Sequence, residues 1–126
     1  MKQEDKELLL QDLCSRLPYG VKCQFEDSVE TITEIWFCED EGWQIDGEKT
    51  STCIHAVKPY LFPLSSMTEE QKEEYCQLQQ RIIYNSKGLV NTDIMNYASW
   101  CYKNHLDVNG LILLGSAIDA TGLNIY

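Results

Sequence analysis

Thr31-Ile32-Thr33-Glu34-Ile35-Trp36-Phe37-Cys38 is followed by Glu39-Asp40-Glu41-Gly42, then by Trp43-Gln44-Ile45 and Asp46-Gly47. β-Branched and aromatic runs separated by turn chemistry read as antiparallel strands. Thr31 to Cys38 is the longest strand expected. Asp46-Gly47 reads as a type I′ hairpin turn, whose central residues both need positive φ, with Thr50 to Val57 as the returning strand. Upstream, Val21-Lys22-Cys23-Gln24-Phe25 alternates and Val29 to Thr33 does so in part. The expectation is an antiparallel meander of three to four strands. Ile35, Trp36, Phe37 and Cys38 are consecutive, so one face cannot hold them all. Either both faces of that strand are partly covered or a bulge reassigns one side chain.

Helical periodicity flanks the meander. Residues 3–17 place Leu9, Leu10, Leu13, Cys14 and Leu17 on one broad face, with Leu8 off it, and Pro18-Tyr19-Gly20 stops the helix. Lys58 to Ser66 holds Pro59 and Pro63 and reads as a crossing loop. Thr68-Glu69-Glu70-Gln71 is a capping box opening a helix to about Ile83, with Tyr75, Leu78 and Ile82 as its stripe. Asn85-Ser86-Lys87-Gly88 breaks it. Asp93 caps a further helix with Ile94, Tyr97, Ala98, Cys101 and His105 in register. Trp100 lies far around that helix, to be packed under the Pro59–Pro63 loop or exposed as an interface anchor. Leu106 to Asp119 reads as a short apolar helix with Leu111, Leu114 and Ile118 inward. The fold class is α+β: an antiparallel meander packed with an N-terminal helix and two to three C-terminal helices, in one domain over 1–126.

Of 126 residues, 44% are hydrophobic and 10% aromatic, as in a folded domain. Twenty acidic against ten basic residues give a net charge of −10. That balance disfavours direct nucleic-acid binding, which needs cations to displace phosphate counterions, and docking on an anionic membrane. Leu8-Leu9-Leu10 is too short for a signal-peptide core, so a soluble cytoplasmic protein is expected. The six cysteines, at 14, 23, 38, 53, 76 and 101, contain no Cys-x-x-Cys pair and read as free, mostly buried thiols.

Asp12-Leu13-Cys14-Ser15-Arg16-Leu17-Pro18-Tyr19-Gly20-Val21-Lys22, the stretch Pro59 to Glu70, and Gly110-Leu111-Ile112 with Gly115 and Ala117 to Thr121 resemble a family of small proteins from gut bacteria and their phages and mobile elements. No activity is established for that family. The resemblance implies a bacterial or phage intracellular setting and transfers no site residues.

From Cys23 to Glu48 there are nine acidic residues and no Lys or Arg: Glu26, Asp27, Glu30, Glu34, Glu39, Asp40, Glu41, Asp46 and Glu48. On one sheet and its turns they sum into a negative field. The functional reading is a non-enzymatic interaction module for a basic or nucleic-acid-handling partner, one form of it imitating the phosphates of DNA. Glu34, Glu39, Asp40, Glu41 and Trp100 would form the contact. The plain reading of the same run is a solvated face that blunts strand edges. Asp40-Glu41-Gly42 and Asp46-Gly47-Glu48 offer oxygens to calcium but lack an EF-hand loop. A second function class is a small metal-dependent or cysteine-based enzyme using Cys53, His55, Cys101 and His105. Cys53 and His55 share one side of a strand, Cys101 and His105 share one helical face, and zinc would require the two pairs to meet. A third is a structural subunit of a larger assembly. No phosphate loop, nucleophile elbow or His-Glu-x-x-His motif is present, so no cofactor is implied.

Overall fold

The computed structural model describes residues 2–84 and 91–126. Helix α1 (Gln3–Arg16) runs into a 3-10 turn at Leu17–Tyr19, where Pro18 and Gly20 stop it as expected. Strands β1 (Lys22–Gln24), β2 (Val29–Thr31), β3 (Glu34–Cys38), β4 (Gly42–Asp46) and β5 (Ser51–Cys53) follow. A second 3-10 turn (Ile54–Ala56) leads into β6 (Lys58–Leu61). Helices α2 (Glu69–Tyr84) and α3 (Asn91–Lys103) come next, and β7 (Ile118–Asp119) closes the order.

The α+β class holds, and the strands divide into two sheets. One has the order β2-β1-β6-β7, antiparallel except for the parallel β6–β7 pair; the other is the antiparallel meander β3-β4-β5. The expected long strand over 31–38 is therefore two strands. At the break, the Ile32 amide donates to the Val21 carbonyl beside the first sheet, and the Thr33 amide donates to Asp46 in the second. Adjacent amides thus bond to different sheets, and the Ile32 side chain is buried between them.

The 58–66 segment is not all loop. Its first four residues form β6, at the centre of the larger sheet. Pro59 is tolerated near the strand's start, because β7 pairs only with Tyr60 and Leu61. The core joins Leu9 and Leu13 of α1 to Cys23, Ile45 and Leu61 from the two sheets and Leu111 from the C-terminal segment. Each such aliphatic side chain contributes on the order of 1.5–3 kcal/mol by leaving water.

The capping box forms as read: the Gln71 amide donates to Thr68 Oγ1 at 3.1 Å, and the Thr68 amide donates to Gln71 Oε1 at 3.0 Å. Tyr75, Leu78 and Ile82 are half-buried against α3. The break expected at residues 85–88 lies outside the described residues, and Asp93 falls inside the first turn of α3 rather than at its cap.

The apolar helix expected over 106–119 does not form. The Asp107 carboxylate accepts the amides of Leu111 (2.8 Å) and Ile112 (3.0 Å), tying the chain into a turn. Left-handed backbone at Gly110 and Gly115 completes the departure from a helix. Leu111 is buried as expected, whereas Leu114 is exposed and Ile118 half-buried in β7.

Asp46-Gly47 is not a type I′ turn either, since neither residue has positive φ. Gly47 is a close-approach position: a Cβ there would stand 2.6 Å from Glu30 Oε1 and 2.9 Å from the Phe25 ring. Glu30 is buried and accepts the amides of Lys49 (2.6 Å) and Thr50 (2.9 Å), so its carboxylate organises the β4–β5 loop. Hydrogen bonds from Ser28, then Thr50 and Lys49, hold its pKa down to about 2. Gly47→Ala is expected to destabilise the fold by about 1–3 kcal/mol, the usual effect of overpacking. A urea midpoint equal to wild type would show that the Glu30–Phe25 contact yields without cost.

Candidate functional site

The same sheet face that seals the core at Ile45 opens to solvent two residues along. Ile35 pairs with Ile45, and Phe37 pairs with Trp43. The Phe37 and Trp43 rings meet edge-on at 5.2 Å, yet Phe37 is 56% and Trp43 40% exposed. Gln3, Lys6, Glu7 and Leu10 recur at helical spacing on α1 and face this pair. Ile54 and His55 come from the turn after β5, and Glu41 and Gly42 from the β3–β4 turn. Together these ten residues enclose a cleft of about 370 Å³.

The cleft has an apolar floor and a charged rim. Glu7 and Glu41 oppose Lys6, the one Lys or Arg among the described residues of the lining, and Glu39 and Asp40 stand exposed in the adjoining turn. None of Glu34, Glu39, Asp40 or Glu41 takes part in an ion pair among the described residues. Glu34 lies at the other end of β3, about 13 Å away at 3.3 Å per residue. Between these ends Trp36, on the opposite face and 38% exposed, donates its indole N–H to Asp46 Oδ1 at 2.9 Å.

The acidic strip is not one continuous surface. Glu26 and Asp27 lie in the β1–β2 turn of the other sheet. Glu30 is internal, Glu48 accepts the Thr31 amide, and Asp46 holds Trp36 and Ser51. Those last three carboxylates bond within the fold. Trp100 is not among the residues that line the cleft. It packs on Tyr75 and donates to Glu74 Oε2 at 2.8 Å, within the α2–α3 pair.

The cysteine–histidine set does not assemble. β5 ends at Cys53, so His55 sits in a 3-10 turn and not on the same strand; its side chain lines the cleft. α3 ends at Lys103, and His105 follows it in left-handed backbone, φ 57°. Its amide donates to Tyr102 and the Leu106 amide to Cys101, the paired bonds of a Schellman ending. Cys101 is fully buried, and burial raises its thiol pKa, opposite to what a nucleophile needs. No group of three His, Cys, Asp or Glu among the described residues is placed to hold a metal. Nor is any described helix long and apolar enough to cross a membrane.

A second polar assembly is buried between the N-terminal helix and the C-terminal segment. Asp12 and Arg16 are both 0% exposed. Arg16 Nε donates to Asp12 Oδ2 at 2.7 Å, and Nη2 to Asp12 Oδ1 at 3.0 Å and the Leu106 carbonyl at 2.6 Å. The guanidinium lies 4.9 Å from the centre of the Tyr102 ring, and Asn109 donates to Asp12 at 2.8 Å. Beside it His105 stacks on Tyr126, centroids 3.7 Å apart. The Tyr126 hydroxyl accepts the Lys22 amide (2.9 Å) and donates to the Tyr60 carbonyl (2.8 Å). With Arg16 sealed behind side chains, this assembly ties elements together and offers no open surface.

Sequence reasoning missed both features. Leu9, Asp12, Leu13 and Arg16 recur at three- and four-residue spacing, so an Asp–Arg pair on the apolar face was there to be read. For the cleft the signal was the run Ile35 to Cys38. Its two faces are not fully covered, and no bulge interrupts the regular pairing with β4; the surplus aromatics stay at the surface. No family model, curated protein or solved structure matches the chain.

Proposed function

We propose that this protein is a non-enzymatic docking module that takes a basic segment of another protein into the cleft between α1 and the β3–β4 turn. The observation that carries the reading is the solvent-open Phe37–Trp43 pair bordered by carboxylates that make no ion pair among the described residues. Aromatic faces attract Lys and Arg through the ring quadrupole, and a partly enclosed Trp is a common energetic anchor of interfaces. Glu39, Asp40 and Glu41 would raise the association rate by long-range attraction and suppress acidic competitors. Glu34 belongs to the same field at its far end. A bacterial or phage setting is part of the proposal and is supported by the resemblance of the 12–22 and 59–70 stretches.

The test is affinity capture of a basic protein from a host lysate at low and high salt. Capture at low salt should be lost at high salt and with the Glu39→Lys/Glu41→Lys double substitution. Trp43→Ala should weaken it about tenfold or more, as for an interface anchor. Capture indifferent to salt, charge reversal and Trp43 alike would overturn the reading.

A further inference from the structure

Resting on that docking proposal, we infer that the basic segment binds as an added strand on the free edge of β3. The order β3-β4-β5 gives β3 one paired neighbour, β4. Among the described residues, no backbone or side-chain group from outside its sheet hydrogen-bonds to the main chain of Glu34–Cys38. At five residues β3 is the longest edge strand among the described residues; β2 and β5 have three and β7 has two. Edges exposed in this way are usually blunted by proline, a bulge or lysine. β3 has none of these, and its one charge is Glu34.

The side chains beside the edge define what fits. Alternation places Phe37 and the cleft on one face of an added strand and Trp36 on the other. Glu34 stands at one end of the edge and Glu39-Asp40-Glu41 at the other. The match is an extended segment with apolar residues at its centre and Lys or Arg towards both ends. Main-chain bonds would supply affinity and the aromatic and acidic neighbours selectivity, as in other strand additions.

A second copy of this chain is the poorer occupant. Antiparallel pairing of β3 with itself about Trp36 would bring Glu34 of each copy to the Glu39-Asp40-Glu41 turn of the other. Two chains of net charge −10 would meet at their most acidic turns.

The experiment titrates the intact protein with a seven-residue peptide that has three central valines and two lysines at each end. A second peptide has the same side chains but is N-methylated at every internal amide, which removes the ladder donors of both edges and keeps the charge. Binding is read by tryptophan fluorescence, and amide hydrogen exchange is followed across Glu34–Cys38. The expected result is at least tenfold weaker binding of the methylated peptide, with slowed exchange of alternate β3 amides under the unmodified one. Equal binding of both peptides, lost with Glu39→Lys/Glu41→Lys, would overturn strand addition and leave the docking reading standing. No binding of either peptide at millimolar concentration, or binding indifferent to the charge reversal, would overturn both. Slowed β3 exchange that grows with protein concentration in the absence of peptide would assign the edge to a second copy and overturn the basic occupant.

Discussion

Arg16→Met should cost about 3–5 kcal/mol of folding stability, enough to threaten a domain of this size. The substitution keeps most of the volume and removes the cation that, among the described residues, pairs with Asp12, whose carboxylate is fully enclosed. An uncompensated buried charge carries most of that loss. The rest comes from the Leu106 carbonyl and the Tyr102 ring, which lose the guanidinium. Removing both charges, as Asp12→Leu/Arg16→Met, should lose distinctly less than the sum of the single changes, because the desolvation penalty disappears with the pair. Urea unfolding of the four proteins supplies the cycle. Single variants within about 0.5 kcal/mol of wild type would mean that Asp12 is not held as a buried anion.

Acid should weaken the fold between pH 6.5 and 4 through His105. Burial first, and then the positive charges of Arg16 and Lys22, push its pKa from 6.5 down to about 4. The folded state therefore holds neutral imidazole where the unfolded chain takes a proton. Stability from this source is complete above pH 6.5, falls as pH drops and is gone below about 4. The ring is only half-buried, so solvent screening cuts the contribution to about 1–2 kcal/mol, with a slope below about 1.4 kcal/mol per pH unit. Protonation would set a cation between Arg16, Lys22 and the Tyr126 ring, and the contact at risk is the His105–Tyr126 stack. His105→Asn tolerates the left-handed backbone and cannot titrate, so its stability should be flat from pH 6.5 down to about 4.5, where the Glu30 contribution starts to fall. Glu30 acts separately: its contribution is present above pH 4.5 and is lost as pH falls from 4.5 towards 2. An unchanged slope in the Asn variant would move the acid sensitivity away from His105.

Local chemistry was legible and sheet membership was not. The Thr68–Gln71 box, the Pro18–Gly20 stop and the β3–β4 turn each depend on residues within a few positions, and each forms as its residues dictate. Ile32 and Thr33 look like strand interior because both are β-branched, but their amides answer to two different sheets. β6 contains Pro59 and so looked like loop; β1 and β7, far away in sequence, make it a strand. For the site, the acidic turn Glu39 to Glu41 could be seen, while the α1 wall of the cleft required knowing where the first helical turns come to rest. Counting carboxylates also could not separate Glu30, Asp46 and Glu48, which bond within the fold, from those that remain free at the surface.

The two sheets must also be completed at different times as the chain is made. β3, β4 and β5 fall within residues 34–53, so the meander can zip by short loops soon after it leaves the ribosome. The other sheet waits for β7 at Ile118–Asp119, and the Arg16–Leu106 bond spans 90 residues. From the end of β5 at Cys53 to Ile118, ordinary synthesis rates make that a wait of roughly 3–13 s. Throughout it, Leu9 and Leu13 of α1 lack the C-terminal part of their core, while the β3 edge with Trp36 and Phe37 is free to form. The nascent chain thus displays its open edge before its core has closed, and it is in that interval that holding chaperones, or an early-arriving partner, would meet it.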